Sequence, residues 1–490
     1  MARSLINIKV VTNVVGSLII ISGALMSLSI PISLYYKTDD LFALIISSSI
    51  TLLAGLAVKY STRHHKNDEV KKRDGYLIVA LGWVSMTLFG SLPYVISGAI
   101  PNYTNAFFET ISGLTTTGAT ILEDIEAMPK GILFWRSMTQ WIGGMGIIVL
   151  TIAILPLLGV GGMELFASEA PGPTKDKIHP RIKETAKRLW IIYFSLTVMQ
   201  CLLLMFAGMD FYDAINHSLT TMSTGGFSTK QASIGHFDTP IIQYIIIVFM
   251  FIAGTNFTLL YFGVKLKFKK FWVNDEFKWY LGAVAALTFF IVGVLYLDNL
   301  YNGTLEETFR GVLFQVVSII TTTGYATTDF TTWGSFITFI FFLLLFTGAS
   351  AGSTSGGMKL VRIILLMKNG FLEFKRRLHP NAIVPVTLNR QSVSPKIIYN
   401  LLAFVFFYLF MFVTGSIVMT FLGLDFMEAL SAVATSIGNV GPGIGKLGPS
   451  HTFYHLPEAA KWVLAFLMLL GRLELFTIAI LFTPYFWRRN

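Results

Sequence analysis

Long apolar runs separated by short polar or basic stretches follow one another from end to end of this chain. Ten reach the roughly 20 residues that a helix needs to cross a bilayer. They cover 10–36, 41–60, 76–99, 135–158, 188–208, 240–263, 279–297, 334–367, 397–422 and 459–486. From the third onward they fall into pairs, and each pair encloses a shorter, half-apolar segment ending in a small, glycine-bearing loop. The loops read Thr115-Thr116-Thr117-Gly118-Ala119, Ser223-Thr224-Gly225-Gly226-Phe227, Thr321-Thr322-Thr323-Gly324-Tyr325 and Gly438-Asn439-Val440-Gly441-Pro442. The pattern predicts an all-α polytopic membrane protein. About ten transmembrane helices and four re-entrant pore helices would form four pseudo-symmetric helix–pore loop–helix repeats.

The enclosed segments are in register. Thirteen residues before Gly118, Gly226 and Gly441 stand Asn105, Asp213 and Glu428, each a helix-capping type followed by Ala and an apolar residue. The third copy starts at Gly311 and lacks that cap, although Glu307 and Thr308 lie just upstream. The units expected are an N-terminal helix pair at 1–74, then repeats at 75–163, 164–264, 265–368 and 369–490. The third repeat carries an interruption at 347–357.

Composition agrees: 54% of the residues are hydrophobic and 13% charged, which excludes an ordinary soluble domain. The run from Val10 to Ile32 is too long for a signal peptide and reads as a retained helix. The lone Cys201 permits no internal disulfide. The net charge of +10 invites a nucleic-acid reading, but its distribution opposes it. Of the 37 Lys and Arg, 29 lie at the termini and in the segments 59–73, 164–188, 264–279 and 359–396. Ten helices with both termini cytoplasmic put all of these on the inner face. Asp39, Asp40, Glu123, Asp124, Glu126, Asp238, Asp298, Glu306, Glu307 and Glu458 then fall outside, where an acidic vestibule would concentrate cations.

A monovalent cation sheds its water shell to pass a narrow pore, and backbone carbonyls can replace that shell. Glycine permits the backbone angles needed and leaves no Cβ in the lumen. Helices ending at the loops would aim the negative ends of their dipoles at the ion. These requirements single out Thr116, Thr117, Gly118, Gly225, Gly226, Thr322, Thr323, Gly324, Asn439, Val440 and Gly441 as a cation filter. In the second loop Gly225 and Gly226 compete, and the common spacing together with Phe227 favours Gly226. The fourth loop is degenerate, so an asymmetric filter with one strong site is expected. One Thr-Gly pair is ordinary loop punctuation; four in register are not.

The eighth apolar run is broken between Phe346 and Gly357 by small and hydroxylated residues. Lipid cannot satisfy unwound backbone, so this stretch should face the pore. Gly348, Gly352, Gly356 and Gly357 would mark a mobile gate beneath the third loop; the other reading is a static kink for close helix packing. Arg472 is the one Lys or Arg placed deep within a span, where a charge costs at least about 2.5–3.5 kcal/mol. Either it meets the Gly-Ser loop as a positive barrier, or it pairs with a carboxylate elsewhere. Glu474, two residues on, does not share its helix face. Glu109 and His217 lie within the pore helices and are expected to brace the loops through hydrogen bonds. No phosphate-binding loop, zinc motif or nucleophile motif accompanies them, so an enzyme is not expected.

Taken together, Thr-Thr-Thr-Gly-Ala-Thr at 115–120, Ser-Thr-Gly-Gly-Phe-Ser at 223–228, Thr-Thr-Thr-Gly-Tyr-Ala at 321–326 and Gly-Asn-Val-Gly-Pro-Gly at 438–443 resemble the Trk/Ktr/HKT superfamily of cation transporters. The extra N-terminal helix pair, the break at 347–357 and Gly-Arg-Leu-Glu at 471–474 are similar to its bacterial TrkH branch. The resemblance spans nearly the whole chain. It implies potassium uptake across a bacterial cytoplasmic (inner) membrane, with K+ as the transported ion and no cofactor bound by this chain. It implies a homodimer and a cytoplasmic TrkA-like ring binding NAD or ATP/ADP. The basic loops are also suited to docking an acidic cytoplasmic subunit; no nucleic acid is expected as a partner. In plant relatives a serine at the first filter position goes with sodium selectivity; Gly118 there implies potassium, with rubidium passing too. An ion-coupled potassium symporter on the same fold is the alternative, and Glu474 is its one candidate coupling carboxylate.

Overall fold

The computed structural model describes residues 6–63, 70–149, 178–297 and 303–488. The expected boundary at 163/164, Asp298 and most of the basic loop 164–188 lie outside the described residues. The chain begins with α1 (Ile8–Met26), α2 (Ser29–Tyr36) and α3 (Leu41–Ser61). α1 and α3 approach through glycines: a Cβ on Gly55 would lie 2.9 Å from the Ile20 nitrogen and 3.0 Å from the Gly16 carbonyl oxygen. Lipid tails are as apolar as the side chains, so close packing of this kind holds membrane helices together.

A helix, a short helix, a loop and a second helix then recur four times. First come α4 (Lys72–Gly90) with its extension α5 (Leu92–Ile96), α6 (Tyr103–Leu114) and α7 (Lys130–Val149). Next are α8 (Ile178–Phe206), α9 (Phe211–Met222), α10 (Pro240–Ala253) and α11 (Phe257–Val264). After the short α12 (Lys269–Val273) follow α13 (Asp275–Leu297), α14 (Leu305–Ile320), α15 (Ser335–Leu344) and α16 (Leu360–Leu378). The last set is α17 (Pro395–Phe421), α18 (Phe426–Gly438), α19 (Glu458–Arg472) and α20 (Phe476–Ala479). Among the described residues six helices are long and apolar enough to cross a membrane unbroken. Phe406, Phe410, Val413, Ile417 and Phe421 stay exposed along α17, as suits a surface solvated by hydrocarbon. The short helices form the centre instead, and every residue from Asn105 to Leu114 is buried.

Two apolar runs read as continuous spans are broken. The run at 240–263 turns by 109° between α10 and α11, and the run at 459–486 turns by 110° just after Arg472. At the first break Asn256 starts a new helix by accepting a hydrogen bond from the Thr258 amide at 2.8 Å. At the second, Glu474 adopts a φ of +61°. The interruption in the third repeat begins and ends in a two-residue parallel pairing, β1 (Thr347–Gly348) with β2 (Met358–Lys359).

Candidate functional site

The four short helices all end in one way. The amide of Thr116 donates to the Gly113 carbonyl at 2.9 Å and that of Thr117 to Ser112 at 2.8 Å. The same two bonds recur for Thr224 and Gly225, Thr322 and Thr323, and Asn439 and Val440. This is the Schellman ending, which needs a left-handed residue after the cap. Those residues are Thr116 (φ +52°), Thr224 (+53°), Thr322 (+57°) and Asn439 (+52°). Asn tolerates this region; a β-branched Thr is held there only by its surroundings, at about 1–3 kcal/mol each. Two residues later comes a left-handed glycine: Gly118 (+83°), Gly226 (+79°), Gly324 (+78°) and Gly441 (+103°). Gly226 therefore occupies the common glycine position, and Gly225 stands level with Thr117, Thr323 and Val440.

In the first, second and fourth repeats the helix starts are equivalent, three residues upstream of the expected caps. Asn102, Asp210, Thr304 and Asp425 are the N-caps. α14 has 16 residues where α6 and α9 have 12, so its cap lies one turn further from the loop. That extra turn hid the third cap, in which Thr304 and Glu307 form a complete capping box. A hydroxyl six residues before the glycine recurs as well. Ser112 donates to the Ala119 carbonyl at 2.6 Å, Ser318 to Tyr325 at 2.7 Å and Thr435 to Pro442 at 3.1 Å. In the second repeat Thr220 pairs instead with the Tyr325 hydroxyl.

The loops meet in a closed ring. A Cβ on Gly118 would strike the carbonyl oxygen of Gly225, one on Gly226 that of Thr323, one on Gly324 that of Val440, and one on Gly441 that of Thr117. Each repeat thus presses its glycine against the next repeat's carbonyl, and the fourth closes on the first. Above the ring is a cavity of about 70 Å³ lined by the four glycines with Arg136, Lys230 and His451. Among the described residues no carboxylate lines this cavity. Three of the acids expected outside have local partners: Asp40 accepts from the Ile132 amide at 2.7 Å, Glu458 from Asn102 at 2.7 Å, and Glu307 caps α14. At the rim a hydrogen bond from Lys446, 2.7 Å away, lowers the pKa of the Asp425 carboxyl.

Neighbouring repeats brace the ring. Glu109 accepts from Arg136 at 2.6 Å, from the Thr120 hydroxyl at 2.8 Å and from the Ile121 amide at 2.9 Å. Arg136 also donates to the Ser228 carbonyl at 3.0 Å and lies 3.5 Å over the Phe227 ring. His217 bridges the Asp213 carbonyl and the Ser228 hydroxyl behind the second loop. Asn439 reaches the Thr117 hydroxyl at 3.0 Å, joining the fourth repeat to the first.

Beneath the ring lies the 347–357 loop. Gly348 is in β1, Gly352 and Gly357 have φ of +72° and +61°, and a Cβ on Gly356 would lie 2.7 Å from that of Asn439. The Gly356 amide donates to the Thr322 hydroxyl at 2.6 Å, so the loop touches the ring directly. It is seated on the break after α10, where Ser350 donates to the Gly254 carbonyl at 3.0 Å. Glu276 holds the Ala351 amide at 2.7 Å. Arg472, buried, donates to the Thr354 carbonyl at 2.8 Å and weakly to Gly143 at 3.4 Å. Of its two expected readings the structure places it on the loop. Glu474 pairs with Arg362, whose guanidinium lies 4.0 Å over Phe404. The cavity beside Gly356 and Arg472 measures about 20 Å³, room for about one water.

Arg472 is not the one deeply buried cation. Arg136 is as buried, and Lys359 and Arg362 line the lower cavity. Arg136 sits at the edge of its apolar run, where the sequence gives no sign of burial, four residues before Gln140 and seven before Gly143 on one face of α7. Replacing Arg136 by Met strands the buried Glu109 carboxylate. The expected cost is about 3–5 kcal/mol, read as a lowered thermal midpoint in detergent. An unchanged midpoint would contradict the bracing role.

The geometry has counterparts in known proteins. Residues 42–489 match the TrkH family model, described as a cation transport protein. The chain is 42% identical to the Trk system potassium uptake protein TrkH of Escherichia coli K12, covering 98% of this chain and 99% of that one. It is 41% identical to the TrkH of Halomonas elongata over 99% of this chain and 100% of the other. The crystal structure of the potassium transporter TrkH from Vibrio parahaemolyticus superposes with a TM-score of 0.90 at 39% identity, covering 98% of this chain and all of that one. With its four looped repeats and near full-length likeness to these proteins, the chain belongs to the TrkH family of cation transport proteins.

Proposed function

We propose that this chain takes potassium across the cytoplasmic membrane through the ring of four loops, with the 347–357 loop as its gate. The closed circle in which each glycine abuts the next repeat's carbonyl carries this reading. A dehydrated cation needs oxygens from all sides, and a ring of backbone carbonyls supplies them without a fixed charge that would hold the ion too tightly. The filter comprises Thr116, Thr117, Gly118, Gly225, Gly226, Thr322, Thr323, Gly324, Asn439, Val440 and Gly441. Relatives named for potassium uptake support the choice of ion.

The gate reading rests on the loop's place under the ring and on its fastenings. Gly356 on Thr322 and Arg472 on Thr354 hold it there. A cytoplasmic nucleotide-binding subunit of TrkA type, docked on the basic loops of a homodimer with cytoplasmic termini, would act by loosening them. Names that place the relatives in a Trk system support an assembly of more than one component. The symporter reading is weaker, because Glu474, its candidate carboxylate, is already paired with Arg362.

One substitution and one deletion test these assignments. Gly118→Ser puts a Cβ at φ +83° against the Gly225 carbonyl. The strained loop must shift, moving that carbonyl from its place in the ring, so the potassium-to-sodium flux ratio in proteoliposomes should fall. An unchanged ratio would remove Gly118 from the filter. Deleting 349–355 should raise partner-free potassium flux if the loop gates; a silent deletion favours the static kink.

A further inference from the structure

Gly225 breaks the pattern of its three counterparts. Thr117, Thr323 and Val440 carry side chains at the position before the ring glycine, and Gly225 carries none. Its backbone does not require glycine there, because among the second-loop residues Thr224 and Gly226 hold the positive φ values. The reason lies in α7 of the preceding repeat. A Cβ built on Gly225 would run into the terminal amide of Gln140, striking its Cδ and Oε1. Gln140 is fully buried and occupies the place where a side chain at position 225 would begin.

The Gln140 amide does more than fill space. Its Nε2 donates to the Gly225 carbonyl at 2.6 Å, and its Oε1 accepts from the Phe227 amide at 3.1 Å. The Gly225 carbonyl can only accept and the Phe227 amide can only donate, so the orientation of the Gln140 amide is fixed. The two bonds bracket Gly226, the ring residue between them. The Gly225 oxygen is also the one that a Cβ on Gly118 would strike, so a single atom faces the ring and receives the Gln140 proton. A hydrogen bond to a carbonyl oxygen draws electron density from it and restrains its direction.

We propose that Gln140 is a positioning residue for ion selection, supplied by the first repeat in place of the side chain that the second loop lacks. It sets the angle and donor strength of the Gly225 carbonyl, and Gly225 is glycine to admit it. This inference rests on the loops being the filter. It predicts an exchange: Gln140→Ala with Gly225→Thr should rebuild the second loop in the image of the first and third. There the Thr117 hydroxyl meets Thr115 at 2.8 Å and the Thr323 hydroxyl meets Thr321 at 2.7 Å, and Ser223 stands ready at the matching place.

The experiment is potassium and sodium flux into proteoliposomes containing the full chain, comparing wild type, Gln140→Leu, Gly225→Thr and the double variant, each checked for a monodisperse elution profile. Gln140→Leu keeps the bulk and removes both hydrogen bonds. It should lower the potassium-to-sodium flux ratio about three- to ten-fold, the effect of one buried hydrogen bond on an equilibrium. Gly225→Thr alone should lose flux, and the double variant should recover wild-type flux and ratio to within about two-fold. An unchanged ratio in Gln140→Leu, or a double variant no better than Gly225→Thr, overturns the proposal. Should Gln140→Leu not fold, the exchange decides alone. A wild-type chain without potassium preference would instead overturn the filter reading on which the proposal rests.

Discussion

Four helices must end within touching distance of one another, each turning its last residues through left-handed backbone. That constraint organises the rest of the molecule. The turn itself is unfavourable for Thr116, Thr224 and Thr322, and the glycine two residues on is pressed against the next loop's carbonyl with no room for a methyl group. Packing this close survives only if every neighbour is fixed. The surrounding structure is accordingly a set of braces both within repeats, as from Glu109 to Arg136 and Ile121, and between them, as from Arg136 to Ser228 and from Asn439 to Thr117.

α7 illustrates how one helix meets this demand. Arg136, Gln140 and Gly143 fall on one face at helical spacing. The first neutralises Glu109 and covers Phe227, the second enters the second loop, and the third lets the helix touch the Leu114 carbonyl. The buried charges of Glu109 and Arg136 are tolerable because each is paired in a fixed geometry and its remaining hydrogen-bonding capacity is met by Thr120, Ile121 and Ser228. Below the ring the same economy appears in the backbone. The turns after Ala253 and after Arg472 expose carbonyls and amides at membrane depth, and the 347–357 loop uses those of the first turn, while Arg472 at the second holds Thr354.

Much of this was legible in the sequence, and for a physical reason. Thr and Gly clusters between apolar runs are rare enough that four in register reveal both the repeat and the ring positions, and the Gly-Ser run at 347–357 stands out equally. The caps were misplaced by three residues because Asn105, Asp213 and Glu428 are also good first-turn residues, and the third cap was hidden by the extra turn of α14. The breaks at 254–256 and after 472 went unread because an apolar run does not show whether its helix is straight; Asn256, a strong cap, was the available sign. The hydroxyls Ser112, Thr220, Ser318 and Thr435, each six residues before a ring glycine, were also present and carried the register. Gln140 gave no sign, since its role depends on a void in a loop 85 residues away.

In the proposed reading ion choice and gating share atoms: Thr322 belongs to the ring and holds Gly356 of the loop. Downhill passage then needs no coupling ion, only release of the loop. The decisive measurement is rubidium or potassium uptake into proteoliposomes containing this chain alone, with a potassium gradient set against sodium and the proton gradient clamped at zero. The account predicts uptake that follows the potassium gradient, prefers potassium and rubidium to sodium, and does not change when proton or sodium gradients are imposed. Uptake that appears only with a proton or sodium gradient would contradict it and make the Arg362–Glu474 pair the place to look for the coupling site.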